Sequence, residues 1–275
     1  MTLAGRGEAD VRNVGDILYA VQRYKPDVVL NCAAVTDVDQ CERAPDHAIS
    51  VNALGAANVA IVCRMRDVPL VHVSTDYVFS GSGGPRDHRS ETYPVNSYGL
   101  SKLLGESAVM SIMPSNTIVI RVGWLYGVEY PKSQPMEAVL AGSLRTNEEV
   151  GRAYIWDNIK GTPTFIGEAA AMVGRAVNAL EGASYWKSCV IHAGPQEHPV
   201  TWYELLVEQF NILPMKDGMF KGKKVAPGVH SGAWRPTEGG LVPTEGWATH
   251  GYRKGLSEFI EEFNAAYVAR TGERP

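Results

Sequence analysis

Three short apolar runs, separated by stretches long enough for a helix, set the strongest limit on what this chain can fold into. Val28-Val29-Leu30-Asn31-Cys32-Ala33-Ala34 follows Lys25-Pro26-Asp27. Leu70-Val71-His72-Val73-Ser74-Thr75 follows Val68-Pro69, and Thr117-Ile118-Val119-Ile120-Arg121-Val122 comes third. Continuous, β-branched runs of this length read as strands buried on both faces; half-exposed strands would alternate. From Ala44 to roughly Arg66 the chain is rich in Ala, Val and Ile and reads as a helix, and a second helix carrying Tyr98 and Lys102 should stop near Pro114. Strand and helix in regular alternation predict an α/β fold, a doubly wound parallel sheet covered on both faces. Right-handed crossovers then bring the C-terminal strand ends to one edge, where ligands bind. Thr75, Asn31 to Ala34 and the turn after Val122 all fall on that edge.

At 275 residues the chain has room for a large and a small domain. The expected division is a dinucleotide-binding-type domain over 1–152, incomplete at its N-terminus, and a mainly substrate-binding part over 153–275. Cys189-Val190-Ile191-His192 predicts a strand near 188–193 returning to the sheet, and Ile166 to Leu180 an Ala-rich helix. Lys216 to Gly246 is dense in Gly, Pro and Lys, and its Lys216, Lys221, Lys223 and Lys224 read as an exposed loop. Trp202, Tyr203, Leu206 and Phe210 have helical spacing and read as core.

A formal charge of −4 gives no general attraction to nucleic acid. The four cysteines show no Cys-x-x-Cys spacing, which argues against a disulfide scaffold or zinc ribbon and for a reducing cytoplasm. No apolar run reaches the ~18 residues of a membrane span, so no membrane partner is expected. Asp37, Asp39, Glu42 and Asp46 gather at a helix start, where carboxylates meet the helix dipole and face water; no metal is expected. His192 and His198 flank a turn without a Cys or carboxylate partner and read as structural.

Tyr98 and Lys102 stand four apart and so share one helical face. An ammonium beside a phenol favours the phenolate and brings the tyrosine pKa down from about 10 toward neutrality. That suits carbonyl or alcohol redox chemistry. With 12 Tyr in the chain, roughly 0.4 such Tyr–Lys spacings arise by chance, so the pair alone decides little. The setting adds weight, because the helix follows a strand ending in Thr75, whose hydroxyl can bond the same substrate oxygen.

Five segments arrive in order: Asn31-Cys32-Ala33-Ala34, Val51-Asn52-Ala53-Leu54-Gly55, His72 through Phe79, Tyr98-Gly99-Leu100-Ser101-Lys102-Leu103-Leu104-Gly105-Glu106, and Arg121-Val122-Gly123-Trp124-Leu125-Tyr126-Gly127. Together they resemble the extended short-chain dehydrogenases/reductases, and most of all the dTDP-4-dehydrorhamnose reductases. Asp157 followed by Gly161-Thr162-Pro163-Thr164, and Arg235-Pro236, resemble further motifs of that family. The resemblance implies NADPH or NADH as cofactor and reduction of the 4-keto group of a nucleotide-linked 6-deoxysugar. It implies that Tyr98 gives a proton to the sugar oxygen, that Lys102 holds the nicotinamide ribose, and that Thr75 polarises the carbonyl. Ala33 and Ala34 would lie against the cofactor and Asp10 near its adenine. Asp76, Tyr77 and Trp124 would surround the sugar.

The departures are as informative. In that family Gly-x-x-Gly-x-x-Gly follows the first strand, and its amides receive the pyrophosphate. Here Leu3 to Asp10 already resembles the segment after the second strand, so a strand and helix of about 25–30 residues are expected to be missing. The strand ending at Ala34 would then lack a neighbour. The chain as given starting downstream of the natural start is the favoured account. A homodimer mate or partner chain completing the sheet, and loss of the cofactor, are the others. Val128 to Lys132 and Glu238-Gly239 also depart from the family pattern, which bears on sugar specificity. Two rival functions follow: another nucleotide-sugar epimerase or reductase, or a non-catalytic relative such as the methionine adenosyltransferase β subunit.

Overall fold

The computed structural model describes residues 5, 7–128, 153–156, 158–182, 185–212, 220–223 and 233–271. Its centre is a five-stranded sheet in the order β1 (Val29–Asn31), β2 (Leu70–Thr75), β3 (Thr117–Val122), β4 (Cys189–Pro195) and β5 (Ala248–Thr249). Every neighbouring pair is parallel. The register sets Asn31 opposite His72, Thr75 opposite Val122, and Arg121 between Ser74 and His192. Each of these strands therefore ends along the same edge.

Helices cover both faces. On one side lie α1 (Val14–Tyr24), α2 (Val38–Arg43), α3 (Pro45–Ile49), α4 (Ala56–Arg66) and α5 (Ser97–Ile112). Ile17, Val59, Val62, Cys63 and Val109 from these helices pack with Leu70 and Val119. On the other side α6 (Ile166–Leu180) lays Ala176 and Leu180 on Val71, Ile118, Ile120 and Ile191. Leu70 and Val71 thus serve opposite cores, as the two-residue period of a strand requires. A third core gathers Leu205 and Leu206 of α7 (Trp202–Ile212) with Leu256, Phe259 and Ile260 of α8 (Tyr252–Thr271) around Tyr126 and Phe165.

Between α3 and α4 the helix widens into a π turn over Ser50–Gly55. Asn52, inside it, accepts from the Val35 amide at 2.8 Å and donates to the Val35 carbonyl and to Ser101 Oγ at 3.0 and 2.9 Å. One buried amide so ties the segment after β1 to α5. Contrary to the sequence expectation, the helical run Pro45–Arg66 is long and apolar enough to cross a bilayer by composition. Half of it is buried within the fold, and Ala48, Ala53, Ala56, Val59, Ala60 and Val62 account for that face.

Several strand limits differ from expectation for local reasons. β1 stops at Asn31 because its side chain turns back to accept from the Ala33 amide at 3.1 Å. β4 runs on to Pro195, and β5 adds to it a pairing that the loop-like sequence before it did not announce. Lys221 and Lys223 fall in a short strand, Phe220–Lys223, paired with Ala153–Trp156, not in a loop. Trp202 and Tyr203 are half-buried; Leu205 and Leu206 fill the core. Asp157, residues 129–132, Lys216 and Lys224 lie outside the described residues. Among the described residues β1 has a strand on one side only.

Candidate active site

The site grows from the end of β2. Thr75 closes the strand and caps the short turn Asp76–Val78, accepting from the Tyr77 amide at 3.3 Å and donating to Asp76 Oδ1 at 3.2 Å. Helix α5 begins against this turn. Its N-cap Asn96 accepts from the Gly99 amide at 2.8 Å, and Glu42 accepts from the Ser97 amide at 2.9 Å. Two of the unpaired first-turn donors are thereby satisfied. A Cβ on Gly99 would stand 2.1 Å from the Tyr77 carbonyl oxygen, so only glycine lets the helix lie this close. Tyr98 consequently meets Tyr77 edge to face, with ring centroids 5.5 Å apart. One turn further on, Lys102 is buried and donates from Nζ to the Val73 carbonyl at 2.6 Å. Thr75, Tyr98 and Lys102 are therefore gathered at one strand end.

Burial governs the electrostatics here. It lowers the Lys102 pKa to about 8, against the raising effects of Glu106 and Cys32. Burial, then the charge of Lys102, holds His72 well below its ordinary value, so His72 is neutral. Asn31 Nδ2 lies 3.1 Å from His72 Nδ1. Partial desolvation by the surrounding protein raises the thiol of the otherwise exposed Cys32, and burial followed by Asp76 raises the Tyr77 phenol. Behind Lys102, Arg121 grips Glu106 with two bonds, 2.9 Å from Nε and 2.6 Å from Nη2. Both side chains are buried.

The segment 233–242 straps the site from above. Ala233 packs with Tyr98, Val38 and Cys41. Arg235 makes a two-pronged pair with Asp39, both contacts 2.8 Å, and Asn96 Nδ2 donates to the Trp234 carbonyl at 2.8 Å. Asp39 is therefore a clasp rather than a solvated helix-start charge. Asp76 is buried beside Thr75, with Gly239 of the strap near its carboxylate. Trp124 is stacked on Trp202 at 4.9 Å and 5° and also packs on Gly161, where a Cβ would meet the ring at 2.4 Å. Asp10 pairs with Arg12, whose Nε lies 3.0 Å from Oδ1. Ala33 is exposed and Ala34 half-buried just past β1. Among the described residues no cluster of His, Cys, Asp and Glu could hold a metal.

A protein-family model described as the RmlD substrate binding domain matches residues 1–264. The chain belongs to that family. Among curated RmlD-like relatives, a dTDP-4-dehydrorhamnose reductase of Streptomyces griseus is 34% identical over 215 residues, covering 78% of this chain and 68% of that protein. A dTDP-4-keto-6-deoxy-D-glucose reductase of Streptomyces niveus is 32% identical over 256 residues, covering 89% and 84%. The crystal structure of dTDP-4-dehydrorhamnose reductase from Bacillus anthracis in complex with NADP superposes with a TM-score of 0.81 at 26% identity, covering 94% of this chain and 89% of that one.

Two features of this RmlD-family chain bear on a dinucleotide. The small, exposed Cys32 and Ala33 at the end of β1, beside buried Lys102, leave room for a ribose and nicotinamide to approach the backbone. These residues fit that half of the cofactor. Among the described residues no Gly-rich turn joins a strand directly to a helix. Four site members escaped the sequence reading as such. Glu106 and Arg121 stood inside quoted motifs, and the signals were a carboxylate four residues after Lys102 and a lone charge within an apolar strand. Asp39 and Arg235 are 196 residues apart, and no local pattern connects them.

Proposed function

We propose that this RmlD-family chain is an NAD(P)H-dependent reductase of the 4-keto group of a nucleotide-linked 6-deoxysugar. The observation that carries the reading is the convergence of Thr75, Tyr98 and buried Lys102 on the end of β2. Bound NADPH or NADH supplies a hydride to C4 of the sugar. Tyr98 gives its phenolic proton to the carbonyl oxygen, which becomes the hydroxyl. Lys102, anchored on the Val73 carbonyl, holds the ribose and favours the phenolate left behind. Thr75 donates to the same oxygen by turning its hydroxyl proton from Asp76 Oδ1, where it rests in the free protein, to the substrate. Asp76, Tyr77 and the fixed Trp124 ring bound the sugar, Ala33 and Ala34 admit the cofactor, and Asp10 lies toward its adenine.

We read residues 1–152 as the cofactor-side part and 153–275 as mainly the substrate side, acting in the cytoplasm. A homodimer is the proposed assembly. The exposed Leu54, Ile61 and Met65 on the Pro45–Arg66 run and Leu100 and Leu104 on α5 support it.

The test is NADPH oxidation with dTDP-4-dehydrorhamnose. Tyr98→Phe should abolish turnover, a loss of at least 10²-fold, while leaving NADPH affinity within about twofold, because the phenol acts on the substrate oxygen. Wild-type rates in that mutant remove Tyr98 from proton transfer. Protein that binds no NADPH at millimolar concentration favours the non-catalytic alternative, for which the single observation is the lack of a Gly-rich strand-to-helix turn among the described residues.

A further inference from the structure

Lys102 presents an unusual electrostatic problem. It is 3% exposed, and its hydrogen bond goes to the Val73 carbonyl, which is neutral. A buried ammonium with only neutral partners would shed its proton. The groups facing it can be named element by element. From the end of β1 comes Cys32, an exposed residue whose thiol is partly desolvated by the surrounding protein and stays protonated. From β2 comes His72, kept neutral. From α5 come Tyr98 and Glu106, one turn to either side of Lys102. Glu106 is the single carboxylate in this set, and it is as buried as Lys102.

Glu106 is also fixed. Arg121 holds both carboxylate oxygens, and Arg121 is held in turn. Its Nη1 lies 3.4 Å from His192 Nε2, and the Phe79 ring sits 5.1 Å from its guanidinium carbon. The carboxylate therefore cannot swing toward Lys102 to form a contact pair, nor away from it. It acts through space at the distance of one helical turn. We propose that Glu106, locked by Arg121, is a positioning residue whose fixed negative charge keeps Lys102 an ammonium at working pH, and that Arg121 sets the strength of that field. This rests on the role assigned to Lys102 in the proposed reductase reaction.

A role in packing alone and a role in charge predict different signs. Removing the carboxylate in Glu106→Gln leaves Arg121 positive and lowers the affinity of Lys102 for its proton. Removing the guanidinium in Arg121→Met leaves the carboxylate unopposed and raises it. A packing role damages both variants alike.

The experiment is an NMR titration of the free protein with ε-carbon-labelled lysine, the Lys102 signal being the one lost in Lys102→Met. The wild-type midpoint should lie at about 8, where burial holds it. Glu106→Gln should move it down by about one unit and Arg121→Met up by about half a unit, the carboxylate having the larger effect on Lys102. Glu106→Asp should hold it within about 0.3 unit, being a conservative rescue. Midpoints that stay put, or move the same way in both variants, overturn the proposal. If a single variant does not fold, Glu106→Gln with Arg121→Met removes both buried charges together, which folds more readily than either alone. That pair should still lower the midpoint, because Glu106 acts on Lys102 more strongly than Arg121 does; an unchanged midpoint there is equally decisive against it.

Because no cofactor or substrate is present, the titration does not depend on reductase activity. Expected shifts in a protein that reduces no keto sugar would defeat the proposed reaction and leave this one standing. In an active enzyme the alkaline limb of kcat/KM follows the same shift. At about pH 8.5 a one-unit fall makes Glu106→Gln about eightfold slower than wild type, with little difference near pH 6.

Discussion

A methyl group at Gly99 would stand 2.1 Å from the Tyr77 carbonyl oxygen and 2.9 Å from its carbon. Both are backbone atoms of a turn capped by Thr75, so neither can step aside without moving the site. Gly105, on the same helix, faces the Asn52 carbonyl at 2.3 Å in the same sense. The two glycines let α5 settle on the end of β2 and on the π turn, and that seat is what aims Tyr98 and Lys102. Gly99→Ala should therefore cost about 2–3 kcal/mol of stability, although alanine is the better helix former by about 1 kcal/mol. Activity should fall with it. Gly174 in α6 is the control, since nothing lies within 4 Å of where its Cβ would be. Gly174→Ala should gain about 0.5–1 kcal/mol. Urea midpoints of the two variants against wild type check both signs; a neutral Gly99→Ala would mean that α5 is not seated where Tyr77 places it.

Helices and strands with their own local signals were the legible part of this chain. β2 and β3 match their apolar runs residue for residue, and α6 spans Ile166–Leu180 as its composition predicts. Tyr98 and Lys102 were legible because a helix converts a spacing of four into a shared face. The strap over residues 233–242 was not legible, because its grip is long-range. Arg86 exchanges backbone bonds with Gly240 and Val242, Glu238 bonds Gly81, and Asp39 clasps Arg235 across most of the chain. No periodicity records such contacts. The strap also tests how elements cooperate at the site. Asp39 has 31% of its side chain exposed, so its pair with Arg235 is partly screened and contributes about 1 kcal/mol. Arg235→Ala should lower global stability by little more than that. It should speed amide exchange at Ala233, which donates to Asp39 Oδ1, by about tenfold, leaving β2 and β3 amides unchanged. Exchange measured by NMR or mass spectrometry reads this directly. Equal acceleration throughout the sheet would make Arg235 a core residue rather than a local clasp.

The fold places a polar layer where a doubly wound protein usually keeps an apolar one, between the sheet and α5. Asn31, His72, Ser74, Arg121 and His192 line it from the strands, and Lys102 and Glu106 close it from the helix. Such a layer makes whole-molecule stability depend on pH through groups that are buried uncharged. His192 is the clearest case. Its Nδ1 lies 3.2 Å from the Val242 carbonyl and its Nε2 faces Arg121 Nη1 at 3.4 Å. The neutral ring satisfies both neighbours, with Nδ1–H donating and Nε2 accepting. A second proton would have to sit on Nε2, against a guanidinium. Burial first, then Arg121, lowers its pKa from 6.5 to about 4. Between these values the unfolded chain binds more protons than the native one, so stability is full above about pH 6.5 and is lost as pH falls toward about 4. The loss is on the order of 3 kcal/mol for His192, and His72, depressed in the same direction, adds to it. Carboxylates titrate over part of the same range, so the difference between wild type and His192→Gln isolates the ring. Urea unfolding at about pH 7 and about pH 5 should show a steeper loss in wild type than in the variant. Parallel slopes would mean that His192 is charged in the folded protein, and the neutral bridge between Val242 and Arg121 would have to be abandoned.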